Sequence, residues 1–186
     1  MPARHILRIR RTAPLLVLLA VACNSRPPAA QNFAPLHLTS PSFSSTIPGR
    51  YASCSGQTGN SPALAWGAPP AGTRSFVLIV TDPDAPFTPF THWLLWNLPP
   101  DTRALPESIP TQPQLPSGAR QGRNDFGHIG YGGPCPPGRS AHRYFFDLYA
   151  LDTTLTLPPG ASKKQLVQAM QGHILAAGQL IGRYPH

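Results

Sequence analysis

Three stretches of this chain carry apolar, β-branched and aromatic residues too densely for a loop. Thr73 to Thr81 (TRSFVLIVT) is a near-continuous apolar run, the pattern of a central strand. His92 to Leu98 (HWLLWNL) is of the same kind, and Arg143 to Leu151 (RYFFDLYAL) is rich in aromatic residues. Pro and Gly clusters bound each run, which predicts three strands ending in turns. Leu36 to Thr39 and Leu64 to Trp66 are shorter strand candidates.

The period changes once, near the end. Pro158-Pro159-Gly160 predicts a turn, and Ser162 with Gln165 has the spacing of a capping box. Leu166, Val167, Met170 and Ile174 then fall on one face of a helix. Lys163 and Lys164 oppose the helix dipole at that end. Gly178 is the expected stop, and Gln179 to Tyr184 the expected short final strand. Many strands and one late helix predict a β-sandwich with a C-terminal helical appendage.

Composition agrees with a turn-rich β fold. The chain has 186 residues, enough for one domain, with 25 Pro and 16 Gly. Pro costs about 3 kcal/mol in a helix interior, so an all-helical bundle is excluded. Apolar residues make up 41% and charged residues 12%, which excludes a disordered chain and a long solvated helix.

A formal charge of +8 first points to nucleic acid. The N-terminus changes that reading. Arg4, Arg8, Arg10 and Arg11 precede an apolar run from Ala13 to Ala22 that ends at Cys23. A basic segment followed by a short apolar one has the form of an export signal, and the run is shorter than the roughly 20 residues of a membrane span. Removing residues 1–22 leaves 11 basic residues against 7 acidic ones, a charge of +4. That is spread along the chain, so no nucleic-acid partner is expected. Ala20-Val21-Ala22-Cys23 is similar to a bacterial lipobox, in which the Cys carries lipid after cleavage; an ordinary signal peptide with a spare Cys is the alternative. Asn24 rather than Asp after that Cys favours the outer membrane in a cell with two membranes. The expected organisation is a signal peptide over 1–22, a lipid-anchored tether over 23–32 and one domain over 33–186, exported and facing the periplasm, or otherwise periplasmic or secreted.

Cys54 and Cys135 remain, one even pair. In an oxidising compartment they predict a disulfide, with two buried thiols as the alternative. Neither has a second Cys nearby, so no metal is expected.

Polar side chains concentrate beside the strands in four places. Asp82-Pro83-Asp84-Ala85-Pro86 follows the central strand and holds two of only seven acidic residues; by itself it reads as a turn. His92 opens the next strand. Gly122 to Gly138 is a Gly-rich loop whose amides could cradle an anion. His142 and Tyr144 stand two apart, so a strand directs both to one face. His92, His142 and Tyr144 are therefore the candidate donors, with Asp82 holding a His tautomer behind them. Two His and one Asp could also bind a metal, but the Gly loop and Tyr favour an anion. There is no G-x-S-x-G and no H-E-x-x-H, so no catalytic residue and no cofactor is assigned.

These segments, in this order, make the chain resemble the phosphatidylethanolamine-binding protein family, also called Raf kinase inhibitor-like proteins, in its bacterial branch. The resemblance is carried by Gly59-Asn60-Ser61-Pro62-Ala63-Leu64-Ala65-Trp66, Asp82-Pro83-Asp84-Ala85-Pro86, His92-Trp93, Asn97-Leu98-Pro99 and Gly122-Arg123-Asn124-Asp125-Phe126-Gly127. Tyr131-Gly132-Gly133-Pro134-Cys135-Pro136-Pro137, His142-Arg143-Tyr144, Gly172-His173-Ile174-Leu175-Ala176 and Leu180-Ile181-Gly182-Arg183-Tyr184 complete it. It implies a mainly β fold, a sandwich of two antiparallel sheets with Greek-key-like connections and a C-terminal α-helix. It also implies a small pocket for phosphate-type anions, including phospholipid headgroups. Asp82, His92, Gly133, His142 and Tyr144 match pocket positions, Asp84, Pro86, Trp93 and Pro134 match the rim, and one peptide bond before a motif proline is expected to be cis. The reading that follows is a binding protein without turnover. The alternatives are a modulator or inhibitor of an envelope enzyme, and a hydrolase using His92 or His142 as base.

Overall fold

The computed structural model describes residues 33–54, 59–138 and 140–185, and the export signal, the tether and Cys23 lie outside them. Among the described residues, nine strands form two sheets. β1 is Ala34–Pro35, β2 Leu38–Thr39, β3 Leu64–Trp66, β4 Ser75–Asp82, β5 Phe90–Leu98, β6 Ala104–Leu105, β7 Arg120–Gln121, β8 His142–Leu151 and β9 Ile174–Tyr184. The larger sheet runs β1-β9-β8-β4-β5-β7, and the smaller runs β2-β3-β6. Pairing is antiparallel throughout except for β1, which lies parallel to β9.

The apolar run in β4 has a direct cause. All eight of its residues are buried. Phe76, Leu78 and Val80 face the smaller sheet, in a core with Trp66, Trp93, Leu95, Tyr144, Phe146 and Leu148. Val77 and Ile79 face the other way and pack with Leu94, Trp96, Leu155, Leu166 and Met170. A strand covered on both sides needs apolar side chains at successive positions, so alternation disappears.

The second cover is the helix α1, Lys163–Met170. Its capping box forms as the spacing predicts: Gln165 N–H donates to Ser162 Oγ at 3.4 Å and Ser162 N–H to Gln165 Oε1 at 2.9 Å. The helix stops earlier than its period predicts. Gly172 takes φ +80°, in the left-handed region that ends helices. Ile174 therefore belongs to β9 and pairs with Leu151. Val167, expected on the buried face, is 42% exposed, and Leu166 and Met170 alone are buried. The final strand β9 is longer than the expected Gln179 to Tyr184 and runs beside β8. Backbone pairing along β8 overrides the helical period here.

Gly178 fixes how β9 meets its other neighbour. A Cβ there would stand 2.0 Å from the Leu36 carbonyl oxygen. Leu36 N–H in turn donates to Ala177 O at 2.8 Å, holding the N-terminal strand on the edge of β9. Gly178→Ala is expected to push β1 away and lower stability by about 1–3 kcal/mol, read as a lower urea midpoint at unchanged slope.

Candidate functional site

Antiparallel order brings three strand ends to one edge of the larger sheet. Asp82 closes β4, while Phe90 and His142 open its two neighbours, β5 and β8. The polar residues thus gather where the double cover of the sheet runs out.

His92 reaches this edge through a bulge. Val80 pairs with Trp93, but Thr81 pairs with Thr91, so His92 is the extra residue on β5. A bulge turns two successive side chains to one face. Trp93 enters the core between the sheets, and the His92 ring lies 5.1 Å, centroid to centroid, from Tyr144. Regular alternation would have placed His92 on the helix side.

The Gly-rich loop is locked to this bulge. Thr91 N–H donates to Asp125 Oδ2 at 2.6 Å, and Asp125 N–H to Thr91 O at 2.9 Å. Gly132 N–H donates to His92 O at 2.9 Å, and His92 Nδ1 lies 2.7 Å from Gly132 O. A carbonyl only accepts, so Nδ1 carries hydrogen and Nε2 is the ring nitrogen left over. Gly133 N–H donates to Ser53 Oγ at 2.6 Å. A Cβ on Gly133 would stand 2.1 Å from the Tyr51 carbonyl oxygen, so this close approach requires glycine. The Cys54–Cys135 disulfide, across 81 residues, ties the same two segments together.

Asp82 is held from two sides. Its Oδ2 lies 2.7 Å from His142 Nδ1, and its Oδ1 accepts Asp84 N–H at 2.8 Å. Asp84 forms a two-pronged ion pair with Arg143, with contacts of 2.6 Å to Nη2 and 2.9 Å to Nε. That pair holds the Asp84 carboxyl down at about 2.

A cavity of about 200 Å³ opens between these parts. Asp82, Ala85, Pro86, Phe90, His92, Phe126, Cys135, Pro136, Pro137 and Tyr144 line it. It is smaller than the roughly 300–1,000 Å³ of drug-sized sites. Burial lowers the His92 pKa, against the opposing pull of the Gly132 carbonyl and Asp82. Burial and the nearby Asp82 push the Tyr144 pKa up, so its hydroxyl keeps its hydrogen. Yet no protein group completes a hydrogen bond to that hydroxyl, although the residue is 1% exposed. A buried hydroxyl left so costs about 1–3 kcal/mol, which a bound acceptor would recover.

Of the residues singled out in the sequence, Asp82, His92, Tyr144 and Pro86 line the cavity together. His142 stands behind Asp82 rather than in the cavity wall, and Asp82 itself is in that wall, the reverse of their expected order. Gly133 shapes the loop, but its amide is engaged by Ser53 and that of Gly132 by His92, so neither is free to cradle an anion. Asp84 is turned to Arg143. Trp93 does not reach the rim. It is fully buried, donates Nε1–H to Gln121 Oε1 at 2.7 Å, and packs on Tyr131. Pro134 is also set back: its carbonyl accepts Ser53 N–H, which draws it away from the mouth. All described peptide bonds are trans; the turn after Asp82 reverses through Phe87 at φ +74°. Phe90, Phe126, Pro136 and Pro137 were not singled out as lining residues. No local spacing marks them, and only the spatial order of the loops brings them to the cavity. Among the described residues, no group of three or more His, Cys, Asp and Glu side chains is placed to hold a metal ion.

Comparison with known proteins follows the same outline. The family model described as phosphatidylethanolamine-binding protein matches residues 39–185. A UPF0098 protein of Methanothermobacter thermautotrophicus is 51% identical over 138 residues, covering 74% of this chain and 89% of the relative. The UPF0098 protein YbhB of Escherichia coli is 41% identical over 127 residues, covering 67% and 80%. Among solved structures, a phosphatidylethanolamine-binding protein homolog from Chlamydia trachomatis superposes with a TM-score of 0.72 at 40% identity, over 82% of this chain and 98% of that one. E. coli YbcL, described as a member of the mammalian family, superposes with a TM-score of 0.74 at 33% identity, over 81% and 98%.

The disulfide closes a long loop and so restricts the unfolded chain. Replacing Cys54 and Cys135 by Ser is expected to cost about 4 kcal/mol of stability. Denaturant unfolding of the two forms, and of the wild-type protein with and without reductant, measures this.

Proposed function

The chain belongs to the phosphatidylethanolamine-binding protein family, as a binding protein of the UPF0098 type, and we propose that its cavity takes a small phosphate-type anion or phosphorylated headgroup without turning it over. The observation that carries this reading is Tyr144: a buried, protonated hydroxyl with no protein partner, in the wall of a headgroup-sized cavity. A ligand oxygen can take the hydrogen that the neighbouring Asp82 does not fully engage. The apolar collar of Phe90, Phe126, Pro86 and Pro137 suits the carbon end of such a ligand. Titration of the purified protein with phosphoethanolamine tests this. Tyr144→Phe keeps the ring packing and removes one hydrogen bond, so affinity is expected to fall about tenfold. Unchanged affinity in a folded variant would remove Tyr144 from the site.

A second reading, a modulator that contacts an envelope protein, draws on Phe87. This side chain is fully exposed on the turn after Asp82, one residue from the cavity wall at Pro86. Loops on a rigid β scaffold commonly serve as contact surfaces. Pull-down from envelope extract with the wild-type protein and Phe87→Ala separates the two readings.

The proposed location is outside the cytoplasm, held to a membrane by lipid on Cys23. The basic segment Arg4 to Arg11, the apolar run Ala13 to Ala22 and the Cys that follows support it. Cys23→Ala is expected to move the protein from the membrane fraction to the soluble one. Retention in the membrane fraction would count against lipidation.

A further inference from the structure

The outer face of the larger sheet is covered in part only. Helix α1 and Leu155 pack over Val77 and Ile79 of β4 and over Leu94 and Trp96 of β5, and Tyr149 of β8 packs against the margin of this cluster. Beyond it the cover thins. Phe145, Asp147 and Tyr149, alternate residues of β8, are half-buried, and Gln179 and Ile181 of β9 are exposed. A recess of about 410 Å³ lies on this face, lined by Phe33, Asp147, Tyr149, Ala177, Gly178 and Gln179.

Strand order sets its width. Ala177 pairs with Tyr149 of β8 on one side and with Pro35 of β1 on the other. Two strand spacings, roughly 10 Å, therefore separate β8 from β1. A flat group held between two walls needs about 7–8 Å, two van der Waals contacts. Ala177 and Gly178 on the strand between keep the floor low, and Tyr149 and Phe33 supply an aromatic ring on either side.

The polar end of the recess is built to accept hydrogen bonds. Gln179 Nε2 donates to Asp147 Oδ1 at 2.7 Å, and among the described residues Asp147 Oδ2 and Gln179 Oε1 have no partner. The ion pairs of the described residues do not include Asp147. Burial pushes its carboxyl above the usual range, more than Gln179 and then Lys163 pull it down. The Tyr149 hydroxyl keeps its hydrogen, because burial and Asp147 push its pKa up to about 12. A half-buried carboxylate without a close counter-charge favours a cation.

We propose that this recess is a second binding site, taking a guanidinium group whose N–H groups donate to Asp147 Oδ2 and Gln179 Oε1 and whose faces lie between Phe33 and Tyr149. Guanidinium is flat, permanently charged, and carries its donors in one plane, so it meets the walls and the acceptors together. An ammonium is a compact, strongly hydrated charge that pairs with Asp147 but leaves the slot between the rings unfilled. Tyr144 faces the core between the sheets and Asp147 the opposite side of β8, so this site is independent of the anion reading above.

Titration of the purified protein at constant ionic strength, followed by the amide NMR shifts of Asp147, Ala177, Gly178 and Gln179, tests this. The probes are methylguanidinium, N-acetylarginine amide, n-butylammonium and methyl glucoside. Both guanidinium probes are expected to give saturable shifts confined to the recess, with butylammonium at least about fivefold weaker. Asp147→Asn retains an acceptor for Gln179 and removes the charge, and is expected to lower guanidinium affinity about tenfold. Phe33→Leu keeps an apolar wall without a ring face, for a loss of about threefold. Unchanged shifts outside the recess show that each variant is folded. Of the groups facing Asp147, Ile79 of β4 is apolar, Gln179 of β9 is neutral, Tyr149 of β8 is a neutral phenol and Lys163 of α1 is a cation. Guanidinium keeps its charge on acidification, so its affinity is expected to fall as the pH drops through the raised Asp147 pKa, toward tenfold per unit below it. N-acetylarginine amide binding well above methylguanidinium marks the side chain of a polypeptide, and equal binding marks a free guanidine compound; both support the proposal. It is overturned by butylammonium binding as tightly as the guanidinium probes, by methyl glucoside binding in their place, by Asp147→Asn without effect, or by no recess shift with any probe.

Discussion

Covering the larger sheet on both faces is the constraint from which the rest follows. All eight residues of β4 are buried and its backbone pairs on both edges, so the side chains from Phe76 to Val80 must be apolar. Polar chemistry can begin only where the covers stop. That point is the end of β4 at Asp82, and antiparallel pairing brings the starts of β5 and β8 to the same place. The cavity sits at an edge because the interior of the sheet cannot tolerate unpaired polar groups.

Two local departures from regular structure then turn that edge into a site. The bulge at His92 lets adjacent residues serve opposite needs on one face: Trp93 fills the core, and His92 meets Tyr144. Gly133 allows the loop to approach the Tyr51–Ala52 backbone more closely than any side chain permits. The disulfide, the Ser53 hydroxyl and the Asp125–Thr91 bonds hold the loop in that position. These bonds also consume the amides that a Gly-rich loop might otherwise offer.

The helix shows how a sound local signal can be right about its start and wrong about its end. The capping box is a property of four consecutive residues, and it forms as the spacing predicts. Where the helix stops depends on β8, which lies over twenty residues away in sequence and recruits Ile174 into its ladder. Apolar spacing over Leu166 to Ile174 fits a helix until that competition is counted.

The strand runs, the capping box and the grouping of Asp82, His92 and Tyr144 were legible in the residues, because each depends on local composition or on motifs in fixed order. The Cys pair was legible as a disulfide once the chain was read as exported. The apolar pattern also marked β4 as central, since double burial leaves its imprint residue by residue. Three-dimensional pairing alone decided the bulge that turns His92 inward, the burial of Trp93, and the placement of His142 behind Asp82. It also decided which donors stay free. Hydrogen-bond partners such as Ser53 for Gly133, eighty residues apart, are set by the meeting of distant segments, and no spacing in the sequence encodes them.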